Sequence, residues 1–331
     1  MDFEAIKKAA QGYEKEMTKF LRDLIAIPGE SCGEECVIKR IEKEMNELGF
    51  DEVKIDGMGN ILGYMGSGET LVAFDAHIDT VGLGEISNWK FDPYKGYENE
   101  TEIGGRGASD QLGGIVSSVY GAKIMKDLGL LSDKYRVLVT GTVQEEDCDG
   151  LCWQYIIEED GHRPEFVVIT EPTSCNIYRG QRGRMEIRVE VKGVSCHGSA
   201  PERGDNAIYK LLPVIAAIRD MEPQLGDDPF LGHGKITVSD IRAQTASLNA
   251  VPDEATIFID RRVTFGESRD EAIEQVRRLI PAANQAAGDI KVDMLFYDIP
   301  SYTGFVYPVD KYYPAWALDE NHALVQAGQA A

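Results

Sequence analysis

The stretch LVAFDAHID at residues 71–79 is a short apolar run that ends on an imidazole and a carboxylate, His77 and Asp79. Two further segments repeat the arrangement. YRVLVTGTV at 135–143 runs into Glu145, Glu146 and Asp147, and FVVIT at 166–170 runs into Glu171. Near-continuous apolar strands alternating with helical stretches indicate an α/β domain whose sheet is mostly parallel and covered on both faces. Ligands of such sheets bind beyond the carboxyl ends of the strands. Three adjacent strand ends of this kind would gather a histidine and several acids around one crevice. A fourth segment, GRGASDQLGG at 105–114, puts Asp110 at a loop-to-helix junction among glycines that admit close backbone approach.

Working outward, 3–27 has helical periodicity ended by Pro28-Gly29, and 33–48 reads as a second helix closed by Gly49. Strand-like runs at 61–65 and 71–76 are separated by Gly66-Ser67-Gly68, and helices are expected at 112–129 and 150–159. The pattern changes after Arg179. RMEIRVEVK at 184–192 alternates, with Met185, Ile187, Val189 and Val191 on one face, as in a strand with one wet side. A helix at about 205–219, strands at 234–241 and 254–263, a helix at 268–286 and a strand at 289–297 complete a βαββαβ order, that of a small open-faced α+β sandwich. The expected organisation is an α/β domain of 1–179 plus 299–331, interrupted by an inserted α+β domain of 180–298.

The 331 residues are enough for two domains at roughly 150 residues each. With 43% hydrophobic and 27% charged residues, disorder, collagen-like repeats and a coiled-coil rod are excluded. The formal net charge of −22 repels phosphate backbones and anionic lipid, so neither nucleic acid nor membrane is an expected partner. Apolar runs such as 211–218 (LLPVIAAI) fall short of the roughly 18 residues a membrane span needs. The N-terminus is charged throughout and lacks the apolar core of a secretory signal. Six cysteines, at 32, 36, 148, 152, 175 and 196, are too sparse for a disulfide scaffold, and a cytoplasmic location follows as an expectation. Cys32 with Cys36 and Cys148 with Cys152 have zinc-like spacing but no matching second pair, and they read as structural thiols.

Taken singly, each chemical signal is weak. A strand-end histidine is usually a satisfied polar residue, a Glu-Glu pair a solvated turn, and an aspartate before a helix an N-cap. Together, one histidine with at least three carboxylates makes a mixed nitrogen and oxygen site suited to zinc, manganese or cobalt rather than to calcium or a thiolate centre. Acids at this density repel one another without cations.

On DAHIDTV at 75–81, GRGASDQLGG at 105–114, QEED at 144–147, ITEPT at 169–173, VSCHGSAPERGDNAI at 194–208 and SLNAVPDEATIFIDRR at 247–262, the sequence resembles the M20 metallopeptidases over nearly the whole chain. That group includes acetylornithine deacetylase, succinyl-diaminopimelate desuccinylase, aminoacylase and carboxypeptidase G, and the selenium-metabolism hydrolases are the subgroup it most resembles. The resemblance implies two divalent ions, zinc first with cobalt or manganese as alternatives. His77 and Glu171 would hold one, Glu146 the second, and Asp110 both. Asp79 would hold the His77 ring in its ligand tautomer, Glu145 would be the general base, and the peptide after Asp110 would be cis. His197, from a partner subunit or after lid closure, would stabilise the oxyanion, while Asn249 and Arg262 would hold a substrate carboxylate. The implied reaction is hydrolysis of a linear amide in an N-acyl amino acid, dipeptide or related small molecule. Water would be activated between the ions, with Glu145 moving its proton to the leaving amine. A homodimer through the insert is implied as well.

The chain departs from the family pattern at its end. Only 299–331 follow the insert, where the family continues to a late histidine of the second metal site, so the resemblance implies a chain lacking its C-terminal part. His162, His233 and His322 are not expected as ligands. Two other readings stand beside the metallohydrolase: a non-catalytic or mononuclear dimerising protein of the same family, and a cysteine-dependent hydrolase using Cys196 or Cys148.

Overall fold

In the computed structural model, residues 2–281, 284 and 288–331 are described. The chain divides into two compact units. The first comprises 1–177, 298–308 and 326–331, and the second comprises 178–297 and 309–325.

The first unit begins with two helices, α1 (Phe3–Gly12) and α2 (Glu14–Ile25), where the sequence suggested one; the helical run breaks at Tyr13. Helix α3 (Glu35–Glu47) follows and buries Val37, Ile38, Ile41 and Met45 at helical spacing. Strands β1 (Glu52–Ile55), β2 (Ile61–Met65), β3 (Thr70–His77), β4 (Tyr135–Thr142) and β5 (Phe166–Ile169) form a sheet in the order β1-β2-β4-β3-β5. Helix α4 (Gly113–Asp127) connects β3 to β4, and α5 (Leu151–Glu158) lies between β4 and β5. β3 pairs in parallel with both β4 and β5, but β1/β2 and β2/β4 are antiparallel. The sheet is therefore mixed, with β2 running against β1, β3, β4 and β5. The cause is local: the five-residue connection 56–60 is too short for a crossover and folds β1 back on β2, with Ile55 opposite Ile61. Leu62, Tyr64, Ala73 and Leu138 are fully buried together on one face of this sheet. Fully burying a side chain the size of Leu62 or Leu138 is worth about 1.5–3 kcal/mol.

The second unit has the βαββαβ order. Strand β6 (Gly183–Lys192) is followed by α6 (Ala207–Met221), β7 (Lys235–Gln244), β8 (Glu254–Val263), α7 (Arg269–Arg278) and β9 (Ile290–Met294). Every pairing in its sheet, ordered β7-β8-β6-β9, is antiparallel. β6 and β8 alternate buried and half-buried residues along nearly their whole length, which puts Met185, Ile187, Val189, Val191, Ile257 and Ile259 in one core under α6. Asn206 and Ser268 cap α6 and α7 with their side-chain oxygens. The end of the helix expected at 268–286 lies partly outside the described residues, since 282, 283 and 285–287 are not among them.

One boundary differs from the expectation. Residues 298–308 do return to the first unit, where the Tyr302 hydroxyl donates to the Gly59 carbonyl at 3.0 Å and Phe305 and Tyr307 pack on the Tyr155 ring. Residues 309–325 leave it again. Tyr312 and Tyr313 pair with Met185 and Arg184, and Ala317 pairs with Gly180. The reason is an unfilled edge. β9 reaches only to Ile187 along β6, so the backbone groups beyond that point need another strand, and 312–313 supply it.

Candidate metal centre

Because β4, β3 and β5 are neighbours and parallel, their carboxyl ends lie at one edge of the sheet. His77 is the last residue of β3, Glu145 and Glu146 follow β4, and Glu171 follows β5. Asp110 comes from the turn before α4, entered through Gly107 at φ 74°, a conformation that favours glycine. The Asp110–Gln111 peptide is cis.

These side chains converge on one imidazole. His77 is 2% exposed, and its Nε2 lies 2.9 Å from Asp110 Oδ1, 3.8 Å from Glu145 Oε2 and 3.8 Å from Glu171 Oε1. Two sets of ligand atoms lie within 4.8 Å of one another: His77, Asp110 and Glu146, and His77, Glu145 and Glu171. His77 thus belongs to both sets, and Glu145, expected as a base, sits among the ligand-type oxygens.

Asp79 touches both the His77 ring and the turn that carries the glutamates. The His77 Nδ1 is 3.0 Å from the Asp79 backbone carbonyl and 3.4 Å from its carboxylate. The same carboxylate, fully buried, accepts the backbone N–H of Glu145 at 3.2 Å and of Glu146 at 3.1 Å, and the Ser31 hydroxyl at 2.6 Å. The preceding Gln144 has φ 60°, outside the usual range for a side-chain-bearing residue. Its backbone N–H is taken by Glu34 Oε1 at 3.1 Å. Three successive N–H groups are therefore held by two buried acids, and this fixes the turn that carries both glutamates. Glu34 and Ser31 were not singled out by the sequence, where Glu34 looks like any acid near a helix start.

The electrostatics favour a positive charge among these acids. Burial works against a charged His77, yet Asp79, Glu145 and Glu171 outweigh it and lift its pKa to about 10. Burial, partly offset by His77 and reinforced by neighbouring acids, pushes Glu145 up to about 8 and raises Glu146 and Glu171 as well. Carboxylates that resist ionisation around one imidazole are relieved by a cation, and an N/O donor set of this kind fits a divalent ion of the zinc, manganese or cobalt type.

The other expected site residues lie in the second unit. His197 and Asn249 are both exposed and are neighbours there: His197 bridges Ala250, and Gly198 N–H donates to the Asn249 carbonyl at 2.6 Å. Arg262 is at the far end of β8, about 27 Å from its start at the usual rise per residue. Its guanidinium is engaged twice by Asp260, at 2.8 and 3.0 Å. Within one copy, Asn249 and Arg262 are not brought together.

The thiol-based reading finds no support in the geometry. Cys148 is fully buried, Cys196 Sγ turns to the Ala200 carbonyl at 3.3 Å, and His197 Nδ1 turns to Ser199 Oγ at 2.8 Å. None of the six cysteines is in a disulfide. His162 packs against Tyr64, with its Nε2 2.9 Å from the hydroxyl, and His233 Nε2 is 3.0 Å from the Glu222 carbonyl. Among the described residues no helix is long and apolar enough to cross a membrane.

Comparison with known proteins agrees with this picture. Residues 179–287 match the peptidase dimerisation domain of the M20 group. Over 325 residues the chain is 58% identical to the uncharacterized protein YgeY of Escherichia coli, covering 98% of this chain and 80% of that one. It is 26% identical to succinyl-diaminopimelate desuccinylase of Buchnera aphidicola over 301 residues, 87% of this chain and 78% of the other. In fold it is similar to an M20 family metallo-carboxypeptidase of Sulfolobus solfataricus, with a TM-score of 0.71 and 15% identity over 94% of this chain and 82% of that one.

Proposed function

The chain belongs to the M20 family of peptidases and amidohydrolases, hydrolases of amide bonds, and on that premise we propose that it cleaves a linear amide of a small molecule bearing a free carboxylate, using two divalent ions, zinc in the first instance. The observation that carries this reading is the convergence of Asp110, Glu145, Glu146 and Glu171 on His77 in two sets of ligand atoms. His77, Asp110, Glu146 and Glu171 would hold the ions, which when bound polarise the amide carbonyl and make water a stronger acid. Glu145 takes the proton of the attacking water and delivers it to the departing amine nitrogen. Asp79 and Glu34 keep the Glu145 backbone in place while its carboxylate changes protonation state.

His197 and Asn249 act from a second copy of the chain. Two features support this: the match to a dimerisation domain, and the exposure of both residues on a unit that carries Arg262 at the other end of a strand. His197 stabilises the developing oxyanion. Arg262, released from Asp260, holds the substrate carboxylate with Asn249 of the other copy, since a guanidinium fork matches it bidentately. Six cysteines with no disulfide among them suit the reducing cytoplasm.

The test is metal analysis joined to an amide-substrate panel, on the chain stripped by chelator and reloaded with Zn²⁺, Co²⁺ or Mn²⁺. The expected result is two ions per chain, amide hydrolysis abolished by chelation and recovered on reloading. Zn²⁺ at about 100 times its Kd should add about 2.7 kcal/mol to stability for each site filled, and His77→Ala should lose that gain. One ion or none, with no hydrolysis of any amide, would overturn the reading.

A further inference from the structure

Glu171 is, with Asp110, one of the more exposed acids around His77. Its side chain is 39% exposed, on a flexible stem, yet its Oε1 must face His77 at 3.8 Å. What holds it is Gln111, a fully buried amide whose Nε2 donates to Glu171 Oε1 at 2.5 Å. At the other end of the amide, Gln111 Oε1 is 2.8 Å from the Thr170 hydroxyl.

The direction of this chain of hydrogen bonds follows from counting donors. The Thr170 hydroxyl has one proton and two oxygens in reach, Gln111 Oε1 and the Asp75 carbonyl at 2.9 Å. The Asp75 carbonyl already accepts the Thr170 backbone N–H at 3.0 Å. An ionised carboxylate accepts and cannot donate. A reversed amide would set two acceptors face to face at the Glu171 contact, so the arrangement that satisfies every group has Thr170 donating to Gln111 and Gln111 donating to Glu171. Space for it depends on Gly114, where a Cβ would come within 2.1 Å of Thr170 Oγ1.

We infer that Gln111 is a positioning residue for Glu171, its amide locked in one orientation by the Thr170 hydroxyl, so that Glu171 offers a divalent ion one fixed oxygen. Partners of this kind, behind a metal ligand, typically govern 10- to 100-fold in metal affinity, about that much being expected here. The inference rests on the reading that Glu171 is a metal ligand.

The experiment measures metal binding without turnover. Wild type, Gln111→Met, Thr170→Val and the double variant are titrated with Zn²⁺ against a chromophoric chelator, and the visible absorption of the Co²⁺-loaded forms is recorded. Gln111→Met keeps length and loses the donor; Thr170→Val keeps shape and loses the hydroxyl. Each single variant should bind Zn²⁺ about 10- to 100-fold more weakly and alter the Co²⁺ bands. The double variant should be no worse than Gln111→Met, because Thr170 acts through Gln111. Thr170→Ser, which keeps the hydroxyl, should bind like wild type, and circular dichroism of the metal-free forms checks their folding. Unchanged affinity and spectrum in Gln111→Met, additive losses in the double variant, or a Thr170→Ser as weak as Thr170→Val would each overturn the inference. A wild type that takes up no Zn²⁺ would overturn both this inference and the functional reading, whereas normal wild-type uptake with unaffected variants overturns this one alone.

Discussion

On the half-buried polar face of the second unit's sheet, Arg184 meets Glu186 at 2.6 Å, Arg262 meets Asp260 at 2.8 Å and Lys311 meets Glu186 at 3.1 Å. At the carboxyl ends of β3, β4 and β5 in the first unit, one imidazole stands among Asp79, Asp110, Glu145, Glu146 and Glu171. Both regions are rich in charge, but the first is balanced by its own side chains and the second is not. In the balanced region every acid has a base from this chain. In the unbalanced one, burial raises Glu145, Glu146 and Glu171 and the surplus is left for a cation from outside. Uncompensated buried charge marks a site by itself, whereas charge paired within the chain does not.

The largest effect that tests this contrast lies in the unbalanced region. Glu145→Gln should lower kcat by about 10²- to 10⁴-fold, the usual contribution of a general base, with metal content unchanged. Near-normal turnover in that variant would remove Glu145 from the reaction.

The second unit should answer differently. Arg262→Ala and Asn249→Ala should each weaken use of carboxylate substrates by roughly 1.5–3 kcal/mol, as for loss of a hydrogen bond to a charged group, with little change in melting temperature. If the two residues serve one carboxylate from different copies, mixing the two weakened variants creates dimers with one complete site in two. Activity should then return to roughly a quarter of wild type after random exchange. No recovery would place both residues on the same copy's site, or on none.

A smaller effect, and one of pH, is expected behind the glutamate turn. Burial lifts Glu34 from 4.5 to about 7, with the charge of Asp79 adding to it against the hydrogen bonds it accepts. The folded chain therefore keeps a proton that the unfolded chain has released. This contribution is complete below about pH 4.5 and is lost as pH rises through 7. Glu34→Gln removes the titration, so between about pH 5 and pH 8 the stability of the variant should gain on wild type by about 1–3 kcal/mol. Melting curves of the metal-free chain at both pH values measure it, and a constant gap would show that Glu34 does not titrate in this window.

The smallest effect belongs to the exposed pairs. Lys19 and Asp23, one turn apart on α2 with Lys19 72% exposed, should contribute no more than about 0.5 kcal/mol in a double-mutant cycle. A larger coupling would mean that surface pairs in this acidic chain matter more than their exposure implies.

Much of the architecture was legible along the chain because its periodicities are local. The alternation in 184–192 and the apolar runs at 71–76, 135–143 and 166–170 mark strands whatever their neighbours do, and each of those runs ends on the residue type the site uses. Pairing direction was less legible. That the sheet is mixed depends on a five-residue turn before a β2 whose partner β1 is a four-residue strand with no buried residue, EVKI, giving no pattern to read. The path of 309–325 was hidden for a similar reason, since two tyrosines become a strand only where β9 leaves β6 without a partner.

By itself the sequence determined which residues are acids, where the buried strands run and that His77, Glu145, Glu146 and Glu171 stand at their ends. These are properties of composition and period, and no tertiary contact is needed to see them. Only the tertiary structure decided that Gln111 reaches Glu171, that Glu34 and Asp79 share the backbone of one turn, and that Arg262 is bound to Asp260. Hydrogen bonds between residues tens of positions apart depend on which strands lie side by side, and even the short-range Arg262 pair exists only because both side chains fall on the same face of a strand that the sheet holds extended.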